Sequence, residues 1–191
     1  MNFEECAAKP LLDEEGIAIP RGKVATTLEQ AGKIADEIGP CVVKAQVPSG
    51  KRGKAGGIKL AKTPQEAEAA AGEILGMHIG GYKVEKLLVE EQKDIERELY
   101  LAIMNDSETR CPTLLFSTLG GMDIETAAIQ DPYQVYRMPI DISTGLDTSC
   151  IINFLQQSNL GDEKANIADI SLKLYSLYRR YDAELLEINP L

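Results

Sequence analysis

Apolar positions along this chain switch between a spacing near 3.6 and strict alternation, and each switch marks an element boundary. Phe3, Cys6, Ala7 and Leu11 follow helical spacing, which predicts a helix over residues 2–15 that Pro10 should kink or split. Residues 16–20 read as a short strand. Thr26 and Thr27, followed by Glu29 and Gln30, give two overlapping capping boxes for a helix that ends at Gly39. Residues 41–47 form a strand, 49–57 a glycine-rich basic loop, and 58–61 a second strand. Thr63-Pro64-Gln65-Glu66 opens another helix with an N-cap, a proline in the first turn and a carboxylate three residues on, running to Gly76.

The second half is richer in strands. Residues 84–90 are an apolar strand ending in acids, and residues 98–104 and 113–118 read as two strands joined by a polar turn over 105–110. Gly120-Gly121 precedes a short helical piece over 124–129. Helices over 148–157 and 163–181 and a last strand over 183–189, anchored by Leu185 and Ile188, complete the pattern. Strands and helices alternate early and strands pair in mid-chain, so the fold class is α+β (mixed α/β) with two lobes and no internal repeat.

Composition narrows the function. The 191 residues suffice for a sizeable core, and the 44% hydrophobic and 26% charged content is that of an ordinary globular chain. A net charge of −10 argues against general nucleic-acid binding, while permitting a local basic site. No apolar run reaches membrane-spanning length, and residues 1–5 lack the features of a signal peptide. Cys6, Cys41, Cys111 and Cys150 show no CxxC spacing, which points to a reducing cytoplasm rather than a zinc site.

The candidate chemistry lies at strand ends and in the basic loop. Glu187 and Asn189 alternate on one strand face, and their oxygens suit a hard cation such as Mg²⁺. Lys44 sits among apolar residues on a face shared with Val42 and Gln46, where it either meets solvent or holds an anion. The loop around Lys51, Arg52, Gly53 and Lys54 can wrap a phosphate, or it can be a solvated basic hairpin; it lacks P-loop spacing. Glu90, Glu91 and Glu98 at strand ends are ordinarily solvated, but grouped with Glu187 and Asn189 they could contact a nucleotide and a metal. His78, the single histidine, reads as a surface or capping residue. Tyr175, Tyr178 and Tyr181 at helical spacing read as core packing.

In order along the chain, Val42-Val43-Lys44-Ala45-Gln46, Arg52-Gly53-Lys54-Ala55-Gly56-Gly57, Leu88-Val89-Glu90, Glu98-Leu99-Tyr100-Leu101, Gly120-Gly121-Met122-Asp123-Ile124-Glu125 and Leu186-Glu187-Ile188-Asn189-Pro190-Leu191 resemble the β subunit of succinyl-CoA synthetase, ADP- or GDP-forming, in its ATP-grasp region. The resemblance spans residues 2–191. It implies an ATP-grasp fold with the nucleotide between two lobes, the small one about residues 20–95 and the large one about 1–19 plus 96–191.

Carried over position by position, the resemblance puts Lys44 on nucleotide phosphates and Lys51, Arg52 and Gly53 in the phosphate loop. Glu90 and Lys93 would lie at the adenine and hinge region, and Glu98 would reach the ribose side. Asn189 would hold Mg²⁺, and Glu187 would be the catalytic acid facing a partner's phosphohistidine loop. The implied cofactors are ATP or ADP, with GTP admissible, and Mg²⁺. The implied partners are a CoA-binding α subunit that carries the phosphohistidine and a small carboxylate substrate, with no nucleic acid and no membrane.

Departures from the family pattern are Lys51 in place of a glycine, Pro48, Leu119 and Pro10. Lys51-Arg52-Gly53-Lys54 is closer to citrate-cleaving relatives. Acetate, malate or citrate therefore stand as alternatives to succinate. A second metal carboxylate and the CoA-ligase domain are expected beyond Leu191, which keeps open a non-catalytic module with a vestigial nucleotide site. On this reading the last residues of the final strand are mobile.

Overall fold

A computed structural model describes residues 2–121 and 135–191. The expected helical piece over 124–129 lies outside the described residues. The chain divides into two compact units, one joining Met1–Glu14 to Ala18–Asp94 and the other joining Glu15–Ile17 to Ile95–Leu191. Residues 1–14, which the resemblance assigns to the large lobe, thus group with the first unit.

The first unit contains α1 (Glu5–Glu14), β1 (Gly22–Ala25), α2 (Leu28–Ile38), β2 (Cys41–Ala45), β3 (Ile58–Ala61) and α3 (Pro64–Ile74). The hairpin strands β4 (His78–Ile79) and β5 (Tyr82–Lys83), and then β6 (Leu87–Glu91), follow. Its main sheet is antiparallel in the order β1-β6-β2-β3. Alternation along β2 turns Cys41, Val43 and Ala45 into a core with α2 and α3. Burying a side chain such as Leu87 or Ile74 there stabilises the unit by roughly 2 kcal/mol. The opposite parity places Val42, Lys44 and Gln46 beside Leu88 and Glu90 on the other face.

Both helix starts follow from their capping residues. The Thr27 hydroxyl accepts from the Gln30 amide at 3.2 Å, and the Thr63 hydroxyl accepts from the Glu66 amide at 3.2 Å. Of the two expected frames at the first helix, Thr27 is the cap, while the Gln30 side chain takes the Thr26 amide at 2.8 Å. One expectation fails outright in this unit. Residues 16–20 form no strand; pairing with β6 falls instead to the polar stretch Gly22–Ala25, where only Ala25 is buried. Pro10 lies inside one continuous helix, so it does not split the element.

The second unit holds β7 (Tyr100–Asp106), β8 (Cys111–Ser117), β9 (Val135–Pro139), α4 (Thr148–Phe154), α5 (Lys164–Arg180) and β10 (Leu185–Ile188). The sheet is antiparallel in the order β10-β7-β8-β9. Register puts Leu101, Ile103, Leu114 and Phe116 on one face, where Phe116 stacks on Tyr136 and Tyr136 meets Phe154 of α4 edge-on. Tyr100, Ala102 and Leu115 are buried on the other face. Leu186 and Ile188 face the first side, opposite Ile103 and Leu101, while Leu185 is 51% exposed. The anchor is therefore Leu186 rather than Leu185, one step out in parity. Tyr175 and Tyr178 are buried and stacked, whereas Tyr181 caps α5 in solvent.

Candidate functional site

In the first unit the second face of the sheet carries a compact charge cluster. Strand β2 presents Lys44 from the parity opposite to the core, and β6 presents Glu90, only 4% exposed, from the neighbouring strand. Helix α1 reaches the same face with Glu5 and Lys9, one turn apart. Lys44 Nζ donates to Glu90 Oε1 at 2.9 Å and to Glu5 Oε1 at 3.0 Å. Lys9 pairs with Glu90 Oε2 and, at 3.1 Å, with Glu5. Arg52 enters from the loop, donating to Glu5 Oε2 at 2.7 Å and to the Ala45 carbonyl at 3.0 Å.

Burial alone would raise the Glu5 pKa. The Lys44, Lys9 and Arg52 cations outweigh it and bring the carboxyl from its ordinary 4.5 to about 2. Burial dominates at Lys9 and pushes its ammonium down. Three cations and two carboxylates leave the cluster formally positive, a setting that favours an added anion. Gln46, 1% exposed, fastens α1 by accepting from the Cys6 amide at 2.8 Å.

The basic loop closes back on β2. The Gly57 amide donates to the Arg52 carbonyl at 2.8 Å, and the Ala45 amide donates to the Gly57 carbonyl at 2.7 Å. A Cβ on Gly57 would lie 2.6 Å from Ile79 and 3.1 Å from the Arg52 carbonyl, so glycine permits this approach. Lys51, at a φ of 62°, and Gly53 lie in the same turn. Lys93 stands apart from Glu90: it pairs at 2.7 Å with Glu91, which also binds Arg21. Hydrogen bonds from Lys93 and Arg21 hold the Glu91 carboxyl down at about 2. Shallow concavities on this unit, around Leu60, Ala70 and Glu73 and around Ile38, Lys62 and Glu91, leave Lys44 outside.

In the second unit Glu98, Glu187 and Asn189 gather around β10. Glu187 lies opposite Ala102 on the face of Tyr100, whose hydroxyl donates to Glu187 Oε2 at 3.1 Å. Asn189 Oδ1 accepts from the Gly121 amide at 2.8 Å. Gly121 has a φ of 70°, and a Cβ there would fall 2.0 Å from a Glu98 carboxylate oxygen, so the Glu98 and Asn189 side chains both lie against Gly121. Residues past Asn189 are held: Leu191 and Leu99 exchange both backbone hydrogen bonds, at 2.8 and 3.2 Å. The expected mobility of this strand end is thus met by a paired ladder instead.

Amide and carboxylate oxygens are the donor type Mg²⁺ takes, and Mg²⁺ commonly completes its shell with water and phosphate. Among the described residues no group of three or more His, Cys, Asp or Glu side chains could hold a metal alone. His78 is exposed on the β4–β5 hairpin, where it pairs opposite Lys83. Sequence reasoning missed Glu5 and Lys9. Their i, i+4 spacing on a helix was the available signal, but it does not name the distant partners. Among the described residues no helix is long and apolar enough to cross a membrane.

The family model of the ATP-grasp domain matches residues 2–191. A Rubrobacter xylanophilus protein named succinate–CoA ligase [ADP-forming] subunit beta is 47% identical over 193 residues, covering 100% of this chain and 50% of the relative. The Thermus thermophilus succinate–CoA ligase [GDP-forming] subunit beta is 42% identical over 192 residues, covering 100% and 51%. The chain spans about half the length of these relatives. Among solved structures, the dinucleotide-forming acetyl-coenzyme A synthetase 1 of Ca. Korarchaeum cryptofilum matches with a TM-score of 0.76 at 22% identity, covering 98% of this chain and 85% of that one. ATP citrate lyase from Methanothrix soehngenii matches with a TM-score of 0.73 at 23% identity, covering 98% and 46%. These two establish likeness of fold.

Proposed function

The chain belongs to the ATP-grasp family, and from that premise we propose that it is the nucleotide-binding part of an ADP-forming succinate–CoA ligase. The observation that carries this reading is the positively charged cluster of Lys44 and Arg52 on a sheet face. Lys44 and Arg52, with Lys51 and Gly53 in the adjoining loop, take the nucleotide phosphates. Glu90 holds Lys44 in place, Lys93 lies toward the base and Glu98 toward the ribose. The nucleotide is ATP or ADP; GTP is the second candidate, since one relative is named GDP-forming.

Mg²⁺ at Asn189 would neutralise phosphate charge during transfer. The oxygen donors around Asn189 support it. Glu187 faces the histidine of a CoA-binding partner subunit, which accepts the phosphoryl group and passes it to the acid. The CoA thiol then displaces phosphate from the acyl phosphate. Succinate is favoured as the acid by the names of relatives at 47% and 42% identity. The four cysteines are free thiols, which supports a cytoplasmic setting.

Calorimetry with Mg·ADP tests the reading. Lys44→Ala should weaken binding at least about tenfold by removing a charge-assisted phosphate contact; equal heats in both proteins would refute it. With γ-labelled ATP, label should reach the partner's histidine and leave this chain unlabelled. Acid-labile phosphate on His78 would overturn the scheme.

A further inference from the structure

The cluster in the first unit is a closed ring of alternating charge. Glu5 bonds Lys44, Lys44 bonds Glu90, Glu90 bonds Lys9, and Lys9 returns to Glu5. Arg52 branches from it through the second oxygen of Glu5. Lys44 belongs to a strand and Arg52 to the loop after it, and the Glu5 carboxylate joins the two with one oxygen each. With two of its three ammonium protons bound, Lys44 has a set direction for the third. No residue of α1 is fully buried, and its apolar side chains Ala8, Leu11 and Leu12 are only half-buried. Polar contacts hold it: this ring, the Cys6 amide on Gln46, and Glu4 with Lys86 at 2.5 Å.

We propose that Glu5 is the positioning residue of the phosphate site, a clamp that sets Lys44 and Arg52 so that strand cation and loop cation meet one phosphate group. This rests on the reading that Lys44 and Arg52 bind the nucleotide phosphates. Removing Glu5 has two effects of opposite sign. One negative charge fewer strengthens the general attraction for phosphate. Losing the clamp frees Arg52 on a glycine-rich loop and sets three like charges against a single carboxylate, so order must be restored on binding. The bonds to Glu5, at 2.7 to 3.1 Å, are part-buried, and the loss of order dominates.

The test is a double-mutant cycle on the full chain, read by calorimetry with Mg·ADP. Glu5→Gln should weaken binding about tenfold, and in the Lys44→Ala background, where only Arg52 is left to be released, the same change should cost about threefold or less. A residue that merely anchors α1 would act additively in both backgrounds. Glu5→Asp, which keeps the charge but shortens the reach, should fall between wild type and Glu5→Gln; it carries the test if Glu5→Gln does not fold. Unchanged affinity in either Glu5 variant, or additivity, refutes the clamp. Tighter binding in Glu5→Gln refutes it too, and shows Glu5 occupying the place of the phosphate. If Lys44→Ala itself leaves binding intact, the phosphate reading falls and the clamp with it; if only the Glu5 variants are neutral, the clamp alone falls.

Discussion

Tyr100 holds Glu187 from the neighbouring strand: its hydroxyl donates to Glu187 Oε2 at 3.1 Å, while its ring is 2% exposed among Ala102 and Leu115. The exposed acid is thus aimed by a buried phenol. Tyr100→Phe keeps the ring packing and removes a hydrogen bond to a charged group. On the proposed function, phosphate transfer to a partner's histidine should fall about tenfold, with Mg·ADP affinity changed less than about twofold. Quenched-flow label transfer beside calorimetry checks this; equal transfer rates would detach Tyr100 from Glu187's role.

Acid should release α1 from the sheet. The Glu5 carboxyl is held at about 2 against an ordinary 4.5, burial being outweighed by Lys44, Lys9 and Arg52. A carboxyl depressed on folding stabilises fully above its ordinary value, and that contribution fades as pH falls toward the folded value. Amide protection in residues 5–14 should therefore decline between pH 4.5 and about 2. Glu5→Gln should lack this component of the acid transition, and matching acid limbs in the two proteins would contradict it.

Gly121→Ala should disturb the second unit out of proportion to one methyl group. A Cβ there would lie 2.0 Å from the Glu98 carboxylate, on a backbone whose φ of 70° disfavours side chains. A loss of about 1–3 kcal/mol is expected, with the Asn189 hydrogen bond displaced. Thermal melting gives the first quantity and the Mg²⁺ dependence of ADP binding the second. An unchanged melting temperature would show that Glu98 moves aside freely.

Local chemistry was legible in the sequence; parity and long-range pairing were less so. The caps at Thr27 and Thr63 are contacts within three residues, and both appear as read. The strand carrying Lys44 was recognisable because Val42, Val43 and Ala45 surround one charge. Strand β1 escaped notice because an edge strand exposing Gly22, Lys23 and Val24 has no apolar signature. The small β4–β5 hairpin had a signal that went unused: Gly80-Gly81, both at positive φ between His78-Ile79 and Tyr82-Lys83. Strand β9, Val135–Pro139, ends in a proline, carries a charge at Arg137 and buries no residue fully, and it was not anticipated. Of the site, Lys44, Arg52 and Glu90 were visible and come together, but the acid joining Lys44 to Arg52 lies 39 residues from Lys44, a distance no local pattern spans.

Strand β2 divides its labour by odd and even numbers. Cys41, Val43 and Ala45 answer to the helices behind the sheet, and Val42, Lys44 and Gln46 to whatever lies before it. Inheritance therefore meets the two sets differently. Drift at odd positions alters heat tolerance while the charged face stays in place, whereas drift at Lys44 or Gln46 touches ligand preference and the seat of α1 at once. A library that randomises Val42 alone would explore new specificities with few misfolded members.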